Sequence, residues 1–206
     1  MTRFYRIILI LAVLTAPFAA CHAADGAEAM LGALRAKIAK APAVDAVFTI
    51  KAGSEPVQGS VSMAGSAFTM TTPQLSVWFD GKTQWTMMTA SQEVNISEPE
   101  KSELMVTNPF AILTAHRDFY TARQLSDVAA SRRVELRPRD KGLGIERYVI
   151  LIDKKTGWPD ALVIHFDDGR KVDVVIDRIG VAKAKPAKTF VYDAAKYPAM
   201  EIVDLR

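Results

Sequence analysis

Two hydrophobic periods divide the chain. Between residues 25 and 40, Met30, Leu31, Leu34 and Ile38 recur at three- and four-residue steps. That spacing predicts an amphipathic helix, with Asp25 as its N-cap and Pro42 as its stop. From Ala43 the period becomes two: Val44, Ala46, Phe48 and Ile50 alternate with Asp45, Val47, Thr49 and Lys51. Short runs of the same kind follow, built on Val57, Val61 and Met63, then Phe68 and Met70, then Leu75, Val77 and Phe79. Residues 84–89 and 93–96 complete the series. Gly53-Ser54-Glu55-Pro56, Ala64-Gly65-Ser66, Pro73 and Asp80-Gly81 separate the runs. Turn chemistry at such short intervals predicts a meander of antiparallel strands.

Thr107 or Asn108 followed by Pro109 opens a second helix, with Ile112, Leu113, His116 and Tyr120 as its stripe. Strands then resume at 134–137, 145–153, 161–166, 171–176 and 189–192, bounded by Asp- and Gly-containing turns. The expectation is an α+β domain, mainly antiparallel, of about eleven strands with two or three helices. No repeat and no linker-like tract divides residues 25–206, so a single domain is expected.

Residues 1–24 have another character. Arg3 and Arg6 precede an apolar run, and small residues cluster at Ala19, Ala20, Ala23 and Ala24. This is the layout of a secretory signal peptide, too short to span a bilayer. The one cysteine, Cys21, lies at the cleavage region. Cleavage at Ala23 or Ala24 removes it and releases the protein into the periplasm. Phe18-Ala19-Ala20-Cys21 also resembles a lipobox, which would leave Cys21 as a lipid anchor. On either route the mature chain forms no internal disulfide, and its stability must come from a core.

Charge adds little. The chain has 26 Lys+Arg and 23 Asp+Glu. Removing Arg3 and Arg6 leaves 24 against 23, or +1. The basic clusters are interleaved with acids, so nothing calls for nucleic acid. Catalytic chemistry is equally sparse. After the signal only His116 and His165 remain, without metal-ligand spacing. No nucleophile elbow or phosphate loop is present. Asp167-Asp168-Gly169 reads as a turn. No enzyme, metal or cofactor is expected.

The unusual feature is the lining of the meander. Met63, Phe68, Met70, Trp78, Phe79, Trp85, Met87 and Met88 fall in one stretch, and five of the eight methionines lie between 63 and 105. Between Glu55 and Glu93 only Asp80 and Lys82 are ionised. Methionine suits a surface that adapts to variable apolar ligands. So broad a sheet with so few helices also needs a cover. Phe48, Met63, Phe68, Met70, Trp78, Trp85 and Met87 are the candidates for a ligand cavity. Leu34, Phe110, Ile112 and Leu113 are the candidates for a lid. Neighbours on a strand point to opposite faces, so some cavity candidates must face outward.

The ordered set resembles the LolA-like family of bacterial outer-membrane lipoprotein carriers. The residues that carry it are the first helix with Val47-Phe48-Thr49, the turn Gly65-Ser66-Ala67-Phe68 running to Pro73, and Phe79-Asp80-Gly81-Lys82-Thr83-Gln84-Trp85. Glu93-Val94 and Asn108-Pro109-Phe110-Ala111-Ile112-Leu113 also fit. The C-terminal Tyr197-Pro198 with Glu201-Ile202-Val203-Asp204-Leu205-Arg206 is similar to the divergent branch common in Bacteroidetes. The resemblance implies an unclosed half β-barrel with a helical lid. It implies a periplasmic monomer that shields the acyl chains of lipoproteins, between an inner-membrane extraction complex and an outer-membrane acceptor. One departure matters: the family's Arg before the strand-ending Pro is Thr72 here. Rival readings are a carrier for another apolar ligand, an acceptor anchored through Cys21, and an interaction module with a filled core.

Overall fold

The computed structural model describes residues 18–206 apart from 109, 141 and 143. Residues 1–17, which fall in the expected export signal, and Pro109 lie outside the described residues, as do the side chains of Cys21, Thr107 and His116.

Helix α1 (Phe18–Lys40) starts ahead of the expected Asp25. Ala19, Ala20, Ala23 and Ala24 are strong helix formers and carry it back through the expected cleavage region. The meander follows as β1 (Ala43–Lys51), β2 (Val57–Ala64), β3 (Ala67–Thr71), β4 (Leu75–Phe79), β5 (Gln84–Met88) and β6 (Glu93–Ser97). Two short helices come next, α2 (Lys101–Thr107) and α3 (Ile112–Phe119). The strands resume as β7 (Tyr120–Val128), β8 (Ser131–Pro138), β9 (Ile145–Asp153), β10 (Pro159–Phe166), β11 (Lys171–Ala182) and β12 (Glu201–Asp204). Several details differ from expectation. Asn108 closes α2 instead of capping the start of a helix, and α3 begins only at Ile112. Helix α2 and strand β7 were not foreseen. Tyr120 opens β7 rather than closing a helix, because α3 passes into the strand with no breaker between them. Ala187–Phe190 is a 3-10 turn where a strand at 189–192 was expected. Strand β12, not foreseen, pairs with β6 in parallel.

All twelve strands form one sheet, in the order β12-β6-β5-β4-β3-β2-β1-β11-β10-β9-β8-β7. Its ends, β12 and β7, do not pair with each other, so the sheet is an unclosed half-barrel. Helices α1, α2 and α3 supply the core layer on one face. Ala27, Leu31, Leu34 and Ile38 of α1 share one buried cluster with the sheet. Its floor runs straight across five strands as Ile50, Val174, Leu162, Ile150 and Val134.

Gly59 shows how tightly this face is built. It sits opposite Phe48 in the β1–β2 register. A Cβ there would lie 2.5 Å from Phe48 Cζ and 2.9 Å from the carbonyl oxygen of Thr71. The ring can tilt away, but the strand carbonyl cannot move cheaply. Gly59→Ala is therefore expected to cost about 1–3 kcal/mol. Thermal unfolding checks this, and an unchanged midpoint would contradict the packing.

Among the described residues, the other face carries one buried acid. Glu135 is 5% exposed, with Arg123 and Arg137 each 3.0 Å from its Oε1. Burial alone would raise its pKa, but Arg137 and Arg123 outweigh it and hold the carboxyl below its ordinary value. The native state thus binds its proton less readily than the unfolded chain. The stabilisation is complete above the unfolded pKa and is lost as pH falls from there through the folded value. Glu135→Gln should lower stability near pH 7, with the deficit vanishing in acid. Denaturant unfolding at pH 7, 5 and 3 measures it; a deficit that does not change with pH would refute the ion-pair account.

Candidate functional site

The strand register sorts the candidate residues by face, because directly opposed residues point the same way. Met63 pairs with Val44 and Phe68, and Phe68 pairs with Phe79. Val61 pairs with Ala46 and Met70, and Met70 pairs with Val77. Phe48, Met63, Phe68 and Met70 therefore share the concave, helix-covered face, together with Val61, Val77 and Phe79. Every one of these seven belongs to the main core cluster. The Phe68 and Phe79 rings lie 5.5 Å apart.

The cover is built from residues 101–119. A helix as short as α2 or α3 is not stable alone in water, so each owes its form to docking. The α2 entrance is tightened where the Glu100 N–H donates to the Glu103 carboxylate at 2.9 Å. Asn108 ends α2, and its Oδ1 accepts the Phe110 N–H at 2.9 Å, which aims Phe110 inward. The Phe110 ring then meets Phe48 at 5.2 Å, tilted by 51°. Phe110, Ile112 and Leu113 are 3%, 0% and 2% exposed. Leu34 joins them from α1, and Arg117 of α3 pairs with Glu28 of α1 at 3.0 Å. The structure thus brings all four cover candidates onto the concave face. The cavity and lid candidates left out Phe79, although it falls in the apolar stretch of the meander, and Leu104 and Met105. Their signal was parity for Phe79, two residues from Val77, and i,i+4 spacing for Leu104 with respect to Asn108.

A cavity of about 240 Å³ remains between sheet and cover. Ile38, Met63, Phe68, Phe79, Leu104 and Phe110 line it, and Ser66, Lys101 and Thr114 stand among its polar lining. This is smaller than the ~300–1,000 Å³ of ligand pockets. The cover's own side chains fill the rest of the concavity. Farther along the same face, Tyr120 and Tyr148 meet edge to face at 5.5 Å. Burial raises both phenol pKa values, so both stay neutral and the lining carries no charge there. Thr72 does not reach the cover. Its hydroxyl accepts the Leu75 N–H at 3.1 Å and closes the β3–β4 turn.

Three cavity candidates lie elsewhere. Trp78 pairs with Thr69 and Trp85, one residue out of phase with Phe68 and Phe79. Met87 pairs with Ser76 and Val94. Trp78, Trp85 and Met87 therefore face the convex side. They looked like cavity residues because a second apolar layer covers that side too. The C-terminal segment crosses it, tied down first where Lys185 donates to Asp45 at 2.8 Å, beside Ser62, which donates to the same carboxylate at 2.6 Å. Phe190 is buried beneath it, and Tyr192 and Tyr197 pack on Trp78 at 5.4 and 5.7 Å. Val94 is fully buried there.

Among the described residues no group of three His, Cys, Asp or Glu could hold a metal. His165 stands on β10, its Nδ1 3.2 Å from Arg147. No described helix is long and apolar enough to cross a membrane.

Comparison with known proteins gives a family and a fold. The family model for outer membrane lipoprotein carrier protein LolA matches residues 20–169. No curated protein matches the chain. Among solved structures, an uncharacterized conserved protein from Thermus thermophilus superposes with a TM-score of 0.62 at 11% identity, covering 87% of this chain and 99% of that one. A DUF1329 family protein from Desulfovibrio piger gives 0.51 at 9% identity, covering 82% and 98%. A putative outer membrane lipoprotein-sorting protein domain from Vibrio parahaemolyticus gives 0.47 at 12% identity, covering 81% and 97%. At such identities the likeness is one of fold.

Proposed function

This chain belongs to the LolA family of outer membrane lipoprotein carriers, and we propose that it is a non-enzymatic periplasmic carrier that shields lipoprotein acyl chains on its concave face. The observation that carries this reading is the relation between face and cover. A wide apolar surface is closed by two helices too short to be stable alone, and their side chains occupy the space an acyl chain would take. Each methylene moved from water into that space contributes about 0.8 kcal/mol. A chain of many methylenes can therefore displace Phe110, Ile112 and Leu113 and replace the contacts they give up. Release is favourable when a membrane or an acceptor takes the chain and the cover redocks.

The partners in this reading are acylated lipoproteins, an inner-membrane extraction complex that loads them and an outer-membrane acceptor that receives them. The carrier acts as a monomer. Because Thr72 is spent on its own turn, the cover is held by apolar packing and the Arg117–Glu28 pair rather than by a cation at that position. Photo-crosslinking in cells tests the proposal, with the photoreactive residue at Phe68 and, as the convex control, at Trp85. Capture of acylated lipoproteins from Phe68 but not from Trp85 supports it. Capture of free lipid alone would move the cargo to another apolar ligand. No capture from a folded variant would leave a filled-core interaction module.

A further inference from the structure

A cavity larger than the concave one lies on the opposite side of the sheet. A niche of about 760 Å³ lies on the convex side, between Trp78 and the C-terminal segment. Its walls are aromatic: Tyr192 and Tyr197 stack at 5.6 Å with 15° between their planes, and Trp78 meets both edge-on. Its polar groups converge from one short stretch, Lys188, Thr189, Asp193 and Lys196. Lys196 is 3.6 Å from Asp193, whose carboxylate also accepts the Ala195 N–H. Lys188 has no acid beside it among the described residues, so the niche holds one surplus cation. The Tyr192 hydroxyl is buried without a hydrogen-bond partner among the described residues. Burial, with Tyr197 and Asp193 nearby, raises its pKa, so it remains a neutral donor.

Anchoring the segment needs the aromatic contacts but neither the volume nor an unpaired lysine beside it. Size, aromatic walls and a few convergent polar groups are the marks of a small-molecule site, and an unpaired buried phenol calls for an explanation of its own. An acyl chain does not fit this lining, because it would bury Lys188 and Asp193 against hydrocarbon. A sugar ring does fit: its C–H face packs on an aromatic ring while its rim hydroxyls meet Thr189 and Asp193. The surplus cation selects an acidic one. We infer that the niche walled by Trp78, Tyr192 and Tyr197 binds an acidic saccharide, with Lys188 as the residue that meets its anionic group.

The test is titration of the full mature protein, followed by tryptophan fluorescence. The probes are the disaccharide N-acetylglucosaminyl-N-acetylmuramic acid, which carries a carboxylate, and neutral chitobiose. The acidic sugar is expected to bind more tightly than the neutral one. Lys188→Gln should weaken the acidic sugar about two- to fivefold, as for an exposed ion pair, leaving chitobiose and the melting temperature unchanged. Tyr197→Ala should abolish binding of both; since it can also loosen the segment, Lys188→Gln is the deciding variant. A third arm displays the acidic disaccharide on phosphatidylcholine vesicles. Binding of the free disaccharide assigns the site to a soluble glycan, and binding only on vesicles assigns it to a glycolipid headgroup. No binding in either form, equal binding of the neutral sugar, or an inert Lys188→Gln overturns the inference.

Discussion

Ile112→Asp is expected to lift the helical cover from the half-barrel without unfolding the sheet. Ile112 is 0% exposed and stands among the apolar residues of the concave face. A carboxylate there stands among apolar side chains, and an unpaired buried ion costs several kcal/mol. The chain has a cheaper course than global unfolding. Since α2 and α3 form only when docked, residues 101–119 can open locally while the twelve-stranded ladder stays paired. The variant should keep its strand signal in far-UV circular dichroism and a cooperative transition, at a reduced midpoint. It should bind a hydrophobic dye strongly where the wild type binds little, and amide exchange should quicken in 101–119 alone. Neutralising the carboxyl should reverse the effect, so dye binding should fall as the pH is lowered through the carboxylate range. Global unfolding of the variant would show that cover and sheet form one cooperative unit, and would remove the physical basis for a displaceable lid.

The same division between sheet and cover governed what the sequence could reveal. The meander was legible because β1 and β2 alternate over most of their length, with Val44, Ala46 and Phe48 against Asp45 and Thr49, and because Gly and Pro mark nearly every turn. The facing of β4 and β5 was not. Leu75-Ser76-Val77-Trp78-Phe79 is apolar on both sides, because the helices cover one face and the C-terminal segment the other. With two apolar layers, alternation stops naming an inside. That is why Trp78, Trp85 and Met87 read as cavity residues, while Phe79, in phase with Phe68, was left out of the candidates. Strand β12 was illegible for a further reason. Its partner β6 lies about a hundred residues away in sequence, and parallel pairing at that separation leaves no local turn signal. Helix α1 was legible in its buried stripe but not in its start, since alanine serves a cleavage site and a helix equally well.

Phe110→Ala should move stability and ligand capacity in opposite directions, which separates a filled cavity from a plain core. The ring is 3% exposed, lines the 240 Å³ cavity and rests on Phe48 at 5.2 Å. Deleting a buried Phe side chain costs about 3–5 kcal/mol. The lower end is expected, because Phe110 sits in a connection between two short helices that can settle inward. At about 2–4 °C per kcal/mol for a chain of this size, the midpoint should fall by roughly 6–12 °C. In an ordinary core that would be the whole effect. Here the vacated space adjoins an existing cavity at the point where an entering acyl chain must displace an aromatic ring. The variant no longer forfeits the Phe48–Phe110 contact on loading, so its affinity for a long-chain fatty acid should rise as its unliganded stability falls. The same excess of palmitate should therefore raise the midpoint of Phe110→Ala by more than that of the wild type, since a ligand bound only to the native state stabilises it by RT ln(1 + [L]/Kd), which grows as Kd falls. The convex control is Met87→Ala, buried on the opposite face of the sheet, which should lose stability with no gain from palmitate. A fall in midpoint that palmitate does not offset in Phe110→Ala would mean that Phe110 is packing alone, and that acyl chains do not enter between the cover and the sheet.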